Sequence, residues 1–380
     1  MFNFLLKKLP YIGALFFAVI ISYVVFYHQA FDFKDNNGHQ VYSSKLSQHI
    51  NDSLNSDMEK VKSDNNSSFI YIIKFTNYIL NSGNNYSAII ILTFAFLFLA
   101  CSIYFIFKKS LKDKYSNYFY LALTFIMLLL SSIYAPFFIK NNFIDKTGVN
   151  VWDNPILIII KPFALLGIYY FVNAFNEKNK EKQKKYSYAA AILLFLSVWI
   201  MPNFILAFIP AIFVYLLVKY KKNLFNSFLR AFLILFPSLY LLNEKSIIID
   251  KFSFWGWASD GFLLSLFLAV LFPLVLTLIY TEFAKNGYLF ISWLILISGA
   301  VLFCLFRNSV IVDDWALGFQ IGVQNLFIYS TILFLKILAA NREKIKFFTF
   351  NAIFLGLVFF MHFLAGSYYF LKIFYGGYAL

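Results

Sequence analysis

The stretch Val149–Phe171 reads VNVWDNPILIIIKPFALLGIYYF, which is apolar over most of its length but contains Pro155, Lys161 and Pro162. A membrane-spanning helix requires about 20 mostly apolar residues, and this stretch provides them. A lysine inside hydrocarbon costs free energy, and a proline removes one backbone hydrogen bond from a helix. The stretch therefore predicts a spanning helix that carries a specialised site near its start.

The composition of the whole chain supports a membrane protein. Of its 380 residues, 61% are hydrophobic and only 13% are charged, whereas about a quarter of a soluble domain is charged. Cys101 and Cys304 both lie in apolar runs, which argues against a disulfide framework or a thiolate metal site. These features predict an all-α polytopic membrane protein, with residues 1–380 forming a single integral membrane domain.

Eleven apolar runs are candidates for transmembrane helices. They lie near 11–28, 86–107, 117–138, 156–175, 187–200, 203–218, 228–243, 261–280, 287–306, 316–338 and 347–370. With the N-terminus in the cytoplasm, the basic residues concentrate in the cytoplasmic loops, as the positive-inside rule requires. The net charge of +14 is therefore interpreted as a topology signal and not as a nucleic-acid surface. The C-terminus is predicted to be extracytoplasmic.

The largest loop, residues 29–85, follows the first run and is predicted to be extracytoplasmic. Its first part carries apolar residues every three or four positions, which is typical of an amphipathic helix lying on the membrane or on the protein: Leu46, Ile50, Leu54, Met58 and Val61. Its second part, near 69–82, is apolar apart from a stripe formed by Lys74, Asn77 and Asn81. This segment is short, and we expect it to be in-plane or re-entrant.

The opening stretch is the first candidate site. Asn154 is suited to cap the helix, and Pro155 is suited to its first position, where the missing N–H does no harm. Lys161 follows on the same face as Asn154, roughly 10 Å deeper along the axis. A helix N-terminus attracts anions, so these residues predict a phosphate-binding site. The alternative is a lysine that extends to the outer headgroups beside a proline kink.

Acidic residues and an arginine supply two further candidates on the same predicted side. Asp32 and Asp35 follow the first run, and a carboxylate there can act as a general base or bind a divalent metal such as Mg²⁺ or Mn²⁺. Arg307 can bind phosphate through two hydrogen bonds, with Asp313 and Asp314 close behind it in sequence. The alternatives are a solvated loop for the acids and an interfacial salt bridge for Arg307.

Four other residues are candidates for sugar or acceptor contacts: Trp152, Asp153, Trp255 and His362. Trp255 can stack on a sugar ring, but tryptophan is also common at membrane interfaces. His362 lies inside the last run, where a packed, hydrogen-bonded histidine is the alternative to a catalytic one.

One span, then a large outer loop with two in-plane helices, then many spans resembles the C-type (GT-C) membrane glycosyltransferases. The resemblance implies polyprenyl-phosphate-linked sugar donors, an active site on the outer face, and Asp32 or Asp35 as the base or metal ligand. The VWDNP and KPF segments also resemble a stretch in bacterial membrane proteins of this general type, which implies a bacterial inner or plasma membrane.

We therefore expect a glycosyltransferase that acts in cell-surface glycan assembly, with lipid-linked donor, glycan or lipid acceptor and membrane lipids as its partners. Lys161, Asn154 and Arg307 are expected to bind the donor phosphate. The alternatives are a polymerase or ligase of lipid-linked oligosaccharides, a flippase or transporter of lipid-linked glycans, and a non-catalytic membrane scaffold.

Overall fold

A computed structural model describes residues 2–31, 33–34, 40–42, 46, 50, 67–112, 114–133, 155–244, 262–280, 286–305, 312–340 and 350–374. Apart from one short strand pair, these residues are mostly helical. In chain order the elements are α1 (Phe2–Ala30), β1 (Phe33–Lys34), β2 (Gln40–Tyr42), α2 (Ser67–Leu80), α3 (Asn84–Leu111), α4 (Asn117–Leu129), α5 (Pro155–Asn176), α6 (Lys180–Ile200), α7 (Asn203–Lys219), a 3₁₀ turn (Lys221–Asn223), α8 (Leu224–Glu244), α9 (Phe262–Ala269), α10 (Leu271–Ile279), α11 (Gly287–Leu305), α12 (Val312–Ala340) and α13 (Phe350–Phe374).

Seven helices in the described part of the chain are long and apolar enough to cross a membrane, which supports an integral membrane protein. They cover Gly13–Ala30, Asn84–Leu111, Leu157–Asn176, Lys221–Asn243, Gly287–Leu305, Gly318–Ala340 and Phe350–Leu371. The other four predicted runs correspond to α4, α6, α7 and the pair α9–α10, whose apolar helical parts are shorter. The number eleven therefore stays a prediction.

Two of the predicted spans differ from continuous helices. Within the run predicted at 117–138, α4 ends at Leu129 and residues 130–133 are not helical, while residues 134–138 lie outside the described residues. The run predicted at 261–280 is interrupted at Val270, between α9 and α10. Pro273 explains the second interruption, because its nitrogen cannot donate the hydrogen bond that would join the two helices through this point.

Helical residues occur in both predicted parts of the first loop, whereas the in-plane or re-entrant orientation stays a prediction. Leu46 and Ile50 are both helical and buried, while the rest of that amphipathic pattern lies outside the described residues. Helix α2 has 14 residues and is about 21 Å long, less than the roughly 30 Å of a hydrocarbon core. It ends at Leu80. The next residue, Asn81, has a left-handed φ of 48°, and the amide of Gly83 donates to Asn77 Oδ1 at 2.8 Å.

The strand pair lies within the same loop. β1 and β2 are antiparallel, with Phe33 opposite Tyr42 and Lys34 opposite Gln40. The connection between them contains Asp35, which lies outside the described residues together with Asp32.

The chain divides into two compact units. The first comprises Met1–Cys101, Trp152–Pro162 and Tyr369–Leu380, and the second comprises Ser102–Val151 and Phe163–Tyr368. In the second unit α12 is the central helix, since every residue from Gly318 to Ile332 is buried. A helix buried on all sides belongs to the interior of a bundle, and α7, α10 and α11 pack around it.

Candidate functional site

Lys161 is fully buried in the first unit. Its relative exposure is 0%, and Leu157, Ile158, Ile159 and Ile160 before it are buried as well. Among the described residues it is the only lysine, arginine, aspartate or glutamate that is buried. A lysine that extends to the headgroups keeps its ammonium at the surface, so this burial favours a specialised role. Ionisable residues inside membrane proteins are costly, and they commonly mark substrate paths.

The helix that carries Lys161 begins as the sequence predicts. α5 starts at Pro155 and continues through Pro162. Pro162 has no N–H, so the carbonyl of Ile158 lacks its usual donor within the helix. Lys161 lies six residues after Pro155, or about 9 Å along the axis. The positive end of the helix dipole and the ammonium therefore attract an anion to the same end of this helix. The predicted cap, Asn154, lies outside the described residues.

Local contacts fix the point at which the first loop begins. The side-chain amide of Asn85, at the start of α3, donates to the carbonyl of Ala30 at 3.3 Å. The ring of Phe31 packs against that of Tyr86, with centroids 5.5 Å apart. Ala30 and Phe31, the two residues before Asp32, are therefore held beside the start of α3.

Most of the predicted site residues cannot be placed against Lys161. Seven of them lie outside the described residues: Asp32, Asp35, Trp152, Asp153, Asn154, Trp255 and Arg307. Asp313 and Asp314 belong to the first turn of α12, but the described side chains of that helix begin at Gly318. No group of three metal-ligating side chains is present among the described residues, so the metal at Asp32 or Asp35 stays a prediction.

His362 joins three segments of the second unit. Its Nδ1 atom lies 2.8 Å from the carbonyl oxygen of Ser131, in the non-helical stretch after α4. Its Nε2 atom accepts a hydrogen bond of 3.4 Å from the amide of Phe272, at the start of α10. The side chain is buried, and the ring of Phe327 on α12 packs against it at 4.8 Å. Because backbone groups engage both nitrogens, the geometry favours the packed, hydrogen-bonded alternative over a substrate contact.

The sequence reasoning missed the polar interior of α12. Gln324, Asn325, Ser330 and Thr331 are all buried and lie within the 23-residue apolar helix Gly318–Ala340. Neither amide atom of Gln324 has a partner within the described part of the chain. A buried polar group without a partner costs about 1–3 kcal/mol. The adjacent pair Gln324–Asn325 inside a spanning run was the sequence signal that identifies this helix, since polar residues are costly at that depth.

Close packing of α11 and α12 holds these polar groups in the interior. Gly318 and Gly322 of α12 have the small-xxx-small spacing that allows helices to approach closely. A Cβ atom on Gly322 would lie 2.8 Å from the amide nitrogen of Leu296, and one on Gly299 would lie 2.5 Å from that of Phe319. No side chain larger than hydrogen fits at these contacts without movement of a backbone.

Polar and aromatic contacts between α11 and α12 continue this packing, and the order of the paired residues shows that the two helices run antiparallel. Asn325 Nδ2 donates to Ser292 Oγ at 2.7 Å, and Ser292 donates in turn to the carbonyl of Tyr288 at 2.6 Å. One turn further on, the rings of Tyr288 and Tyr329 stack with centroids 4.7 Å apart. Contacts between α11 and α12 therefore extend from Gly299 and Phe319 at one end to Tyr288 and Tyr329 at the other.

The resemblance to C-type glycosyltransferases stays a prediction. Lys161 and His362 are the only two predicted site residues whose side chains are described, and they belong to different units. The assembly of the predicted site thus stays a prediction. Comparison of the chain with protein-family models, with curated proteins and with solved structures finds no match.

Proposed function

We propose that the chain is a membrane glycosyltransferase that uses a polyprenyl-phosphate-linked sugar at the outer face of the membrane. The observation that carries the proposal is the complete burial of Lys161 near the N-terminus of α5. Ionisable groups inside membrane proteins commonly mark substrate paths, and an ammonium binds phosphate through charge-assisted hydrogen bonds. The phosphate of a lipid-linked donor is an anion, and its lipid holds it at the membrane.

The reaction assigns a distinct task to each predicted residue. The hydroxyl oxygen of the acceptor attacks the anomeric carbon of the donor sugar, and the bond from that carbon to the phosphate oxygen breaks. The hydroxyl proton passes to Asp32 or Asp35, and the polyprenyl phosphate leaves as an anion. Lys161, Arg307 and the helix N-terminus stabilise the charge that develops on this leaving group.

A polymerase or ligase of lipid-linked oligosaccharides uses related chemistry. Such enzymes commonly place their large outer loop late in the chain and have several outer arginines. Here the large loop is the first, and Arg307 is the only arginine on the predicted outer side. These two features favour a simpler transferase that adds one sugar unit.

A flippase or transporter of lipid-linked glycans is the second candidate. It is favoured by the interruption at Val270, between α9 and α10, and by the polar interior of α12. Discontinuous helices are common at the substrate sites of transporters. The burial of Lys161 fits both candidates, so the two must be separated by measurement.

The test uses the purified protein in two assays. The first measures transfer from a synthetic polyprenyl-phosphate hexose to cell-envelope glycan or lipid acceptors. The second measures movement of a fluorescent lipid-linked glycan across proteoliposome membranes. We expect transfer without movement. Movement without transfer would support the flippase, and neither activity would support a scaffold.

A further inference from the structure

Several buried hydroxyl or amide side chains in the second unit have no hydrogen-bond partner within the described part of the chain. Three of them are Ser132 after α4, Ser265 on α9 and Gln324 on α12. Their relative exposures are 2%, 1% and 1%. The glycosyl-transfer proposal does not use any of them.

All three belong to segments that meet at a junction around His362. Ser132 follows Ser131, which bonds to His362, and precedes Ile133, whose amide donates to the carbonyl of Leu268 at 3.5 Å. Ser265 precedes Leu268 by three residues, which is about one turn of α9.

Gln324 approaches the same junction from α12. It lies three residues before Phe327, on the same helix face. The ring of Phe327 contacts both His362, at 4.8 Å, and Phe272, at 6.0 Å. The three polar residues therefore belong to three different segments that meet around His362.

The junction is also the place where helices are interrupted. α4 ends at Leu129, and the carbonyl of Leu129 would overlap with a Cβ atom on Gly366. α9 and α10 are separated at Val270. Non-helical backbone at membrane depth occurs where it is buried in protein or lines a cavity. Discontinuous helices of this kind are common at the substrate sites of transporters.

We propose that Ser132, Ser265 and Gln324 form an intramembrane binding site for an uncharged, hydroxyl-rich group, closed in this structure and opened by movement of α9 and α10. Two hydroxyls and one amide both donate and accept hydrogen bonds, as sugar hydroxyls do. The described residues at the junction carry no charged side chain, so the ligand group is neutral. That the group is the sugar of a lipid-linked substrate rests on the proposed function.

Cysteine labelling tests the site. Ser132→Cys and Ser265→Cys are made in a protein whose Cys101 and Cys304 are replaced by alanine. The control is Ser197→Cys, because Ser197 is equally buried but donates to the carbonyl of Leu194 at 2.7 Å. The reagent is aminoethyl methanethiosulfonate, applied in nanodiscs with no ligand, with polyprenyl phosphate, or with polyprenyl-phosphate hexose.

We expect Ser132→Cys and Ser265→Cys to react at least about tenfold faster than Ser197→Cys, which corresponds to about 1.4 kcal/mol. The hexose lipid should slow both reactions, and bare polyprenyl phosphate should not. Equal rates at all three positions, or equal slowing by both lipids, would overturn the proposal.

A second variant tests whether protection by the hexose lipid depends on Gln324. The fast labelling shows that the variant is folded, and the measurement requires no sugar transfer. Gln324→Leu, added to Ser265→Cys, should keep the fast labelling and lose protection by the hexose lipid. Retained protection would contradict a role for Gln324. Hexose-dependent protection in a protein that transfers no sugar would support this site and reject the transferase.

Discussion

The Nδ1 atom of His362 lies 2.8 Å from the carbonyl oxygen of Ser131, a residue 231 positions earlier in the chain. On the opposite edge of the ring, Nε2 accepts from the amide of Phe272. Because Nε2 accepts, the proton of the neutral ring is on Nδ1, which donates to Ser131. One imidazole thus satisfies two backbone groups that interrupted helices leave without helical partners.

Replacement of His362 should destabilise the protein in proportion to the bonds lost. His362→Leu leaves the Ser131 carbonyl and the Phe272 amide unsatisfied and should lower the free energy of unfolding by about 1–3 kcal/mol. His362→Asn can keep the bond to Ser131, and His362→Gln can keep the bond to Phe272, so both should lose less. Denaturation in detergent micelles measures the differences. Equal stability of the leucine variant and the wild type would contradict this role.

The contact between α11 and α12 provides a matched pair of glycine variants. Gly299→Ala places a methyl group 2.5 Å from the amide nitrogen of Phe319, and it should destabilise the protein by about 1–3 kcal/mol. Gly356 on α13 has nothing within 4 Å of an added Cβ. Gly356→Ala should therefore be neutral or raise stability by up to about 1 kcal/mol through lower backbone entropy in the unfolded chain. The same unfolding assay compares them, and the reverse order would show that this packing is wrong.

Sequence reasoning succeeded where the signal is local. The prolines predicted the start of α5 at Pro155, and hydropathy located every described apolar helix. It did not predict the interruptions at Val270 and after Leu129, because hydropathy averages over the residues that break a helix. The partners of His362 and of Asn325 come from distant segments, so tertiary packing alone reveals them. For Lys161 the sequence predicted a specialised role in anion binding, which stays a prediction, whereas the burial of its side chain required the structure.

The membrane topology makes a prediction that is independent of catalysis. With a cytoplasmic N-terminus, cysteines placed at Asn55 and Asn150 should react with an impermeant maleimide applied to intact cells. A cysteine at Lys180, at the exposed start of α6, should react only after permeabilisation. Native Cys101 and Cys304 are removed first. Labelling at Lys180 in intact cells would invert the topology and move the proposed site to the cytoplasmic side.

The acidic residues of the first loop should be needed for the chemical step. Asparagine has nearly the shape of aspartate but cannot accept the acceptor proton. Asp32→Asn or Asp35→Asn should lower kcat by about 10²-fold or more, the usual scale for a lost general base. Binding of the donor should change little, because its phosphate is held elsewhere. If both asparagine variants kept full activity, neither Asp32 nor Asp35 would be the base.

The central claim is that Lys161 binds the phosphate of a lipid-linked donor, and the most direct measurement compares sugar transfer by Lys161→Met with that by the wild type. Methionine keeps the length of the side chain and removes its charge, so the variant should remain inserted and folded. The exposed Lys109 supplies the control variant Lys109→Met. We predict that Lys161→Met lowers kcat/KM by about 10²-fold or more and weakens binding of polyprenyl phosphate, while Lys109→Met changes neither. If a folded Lys161→Met protein transferred sugar at the wild-type rate, the result would contradict the account.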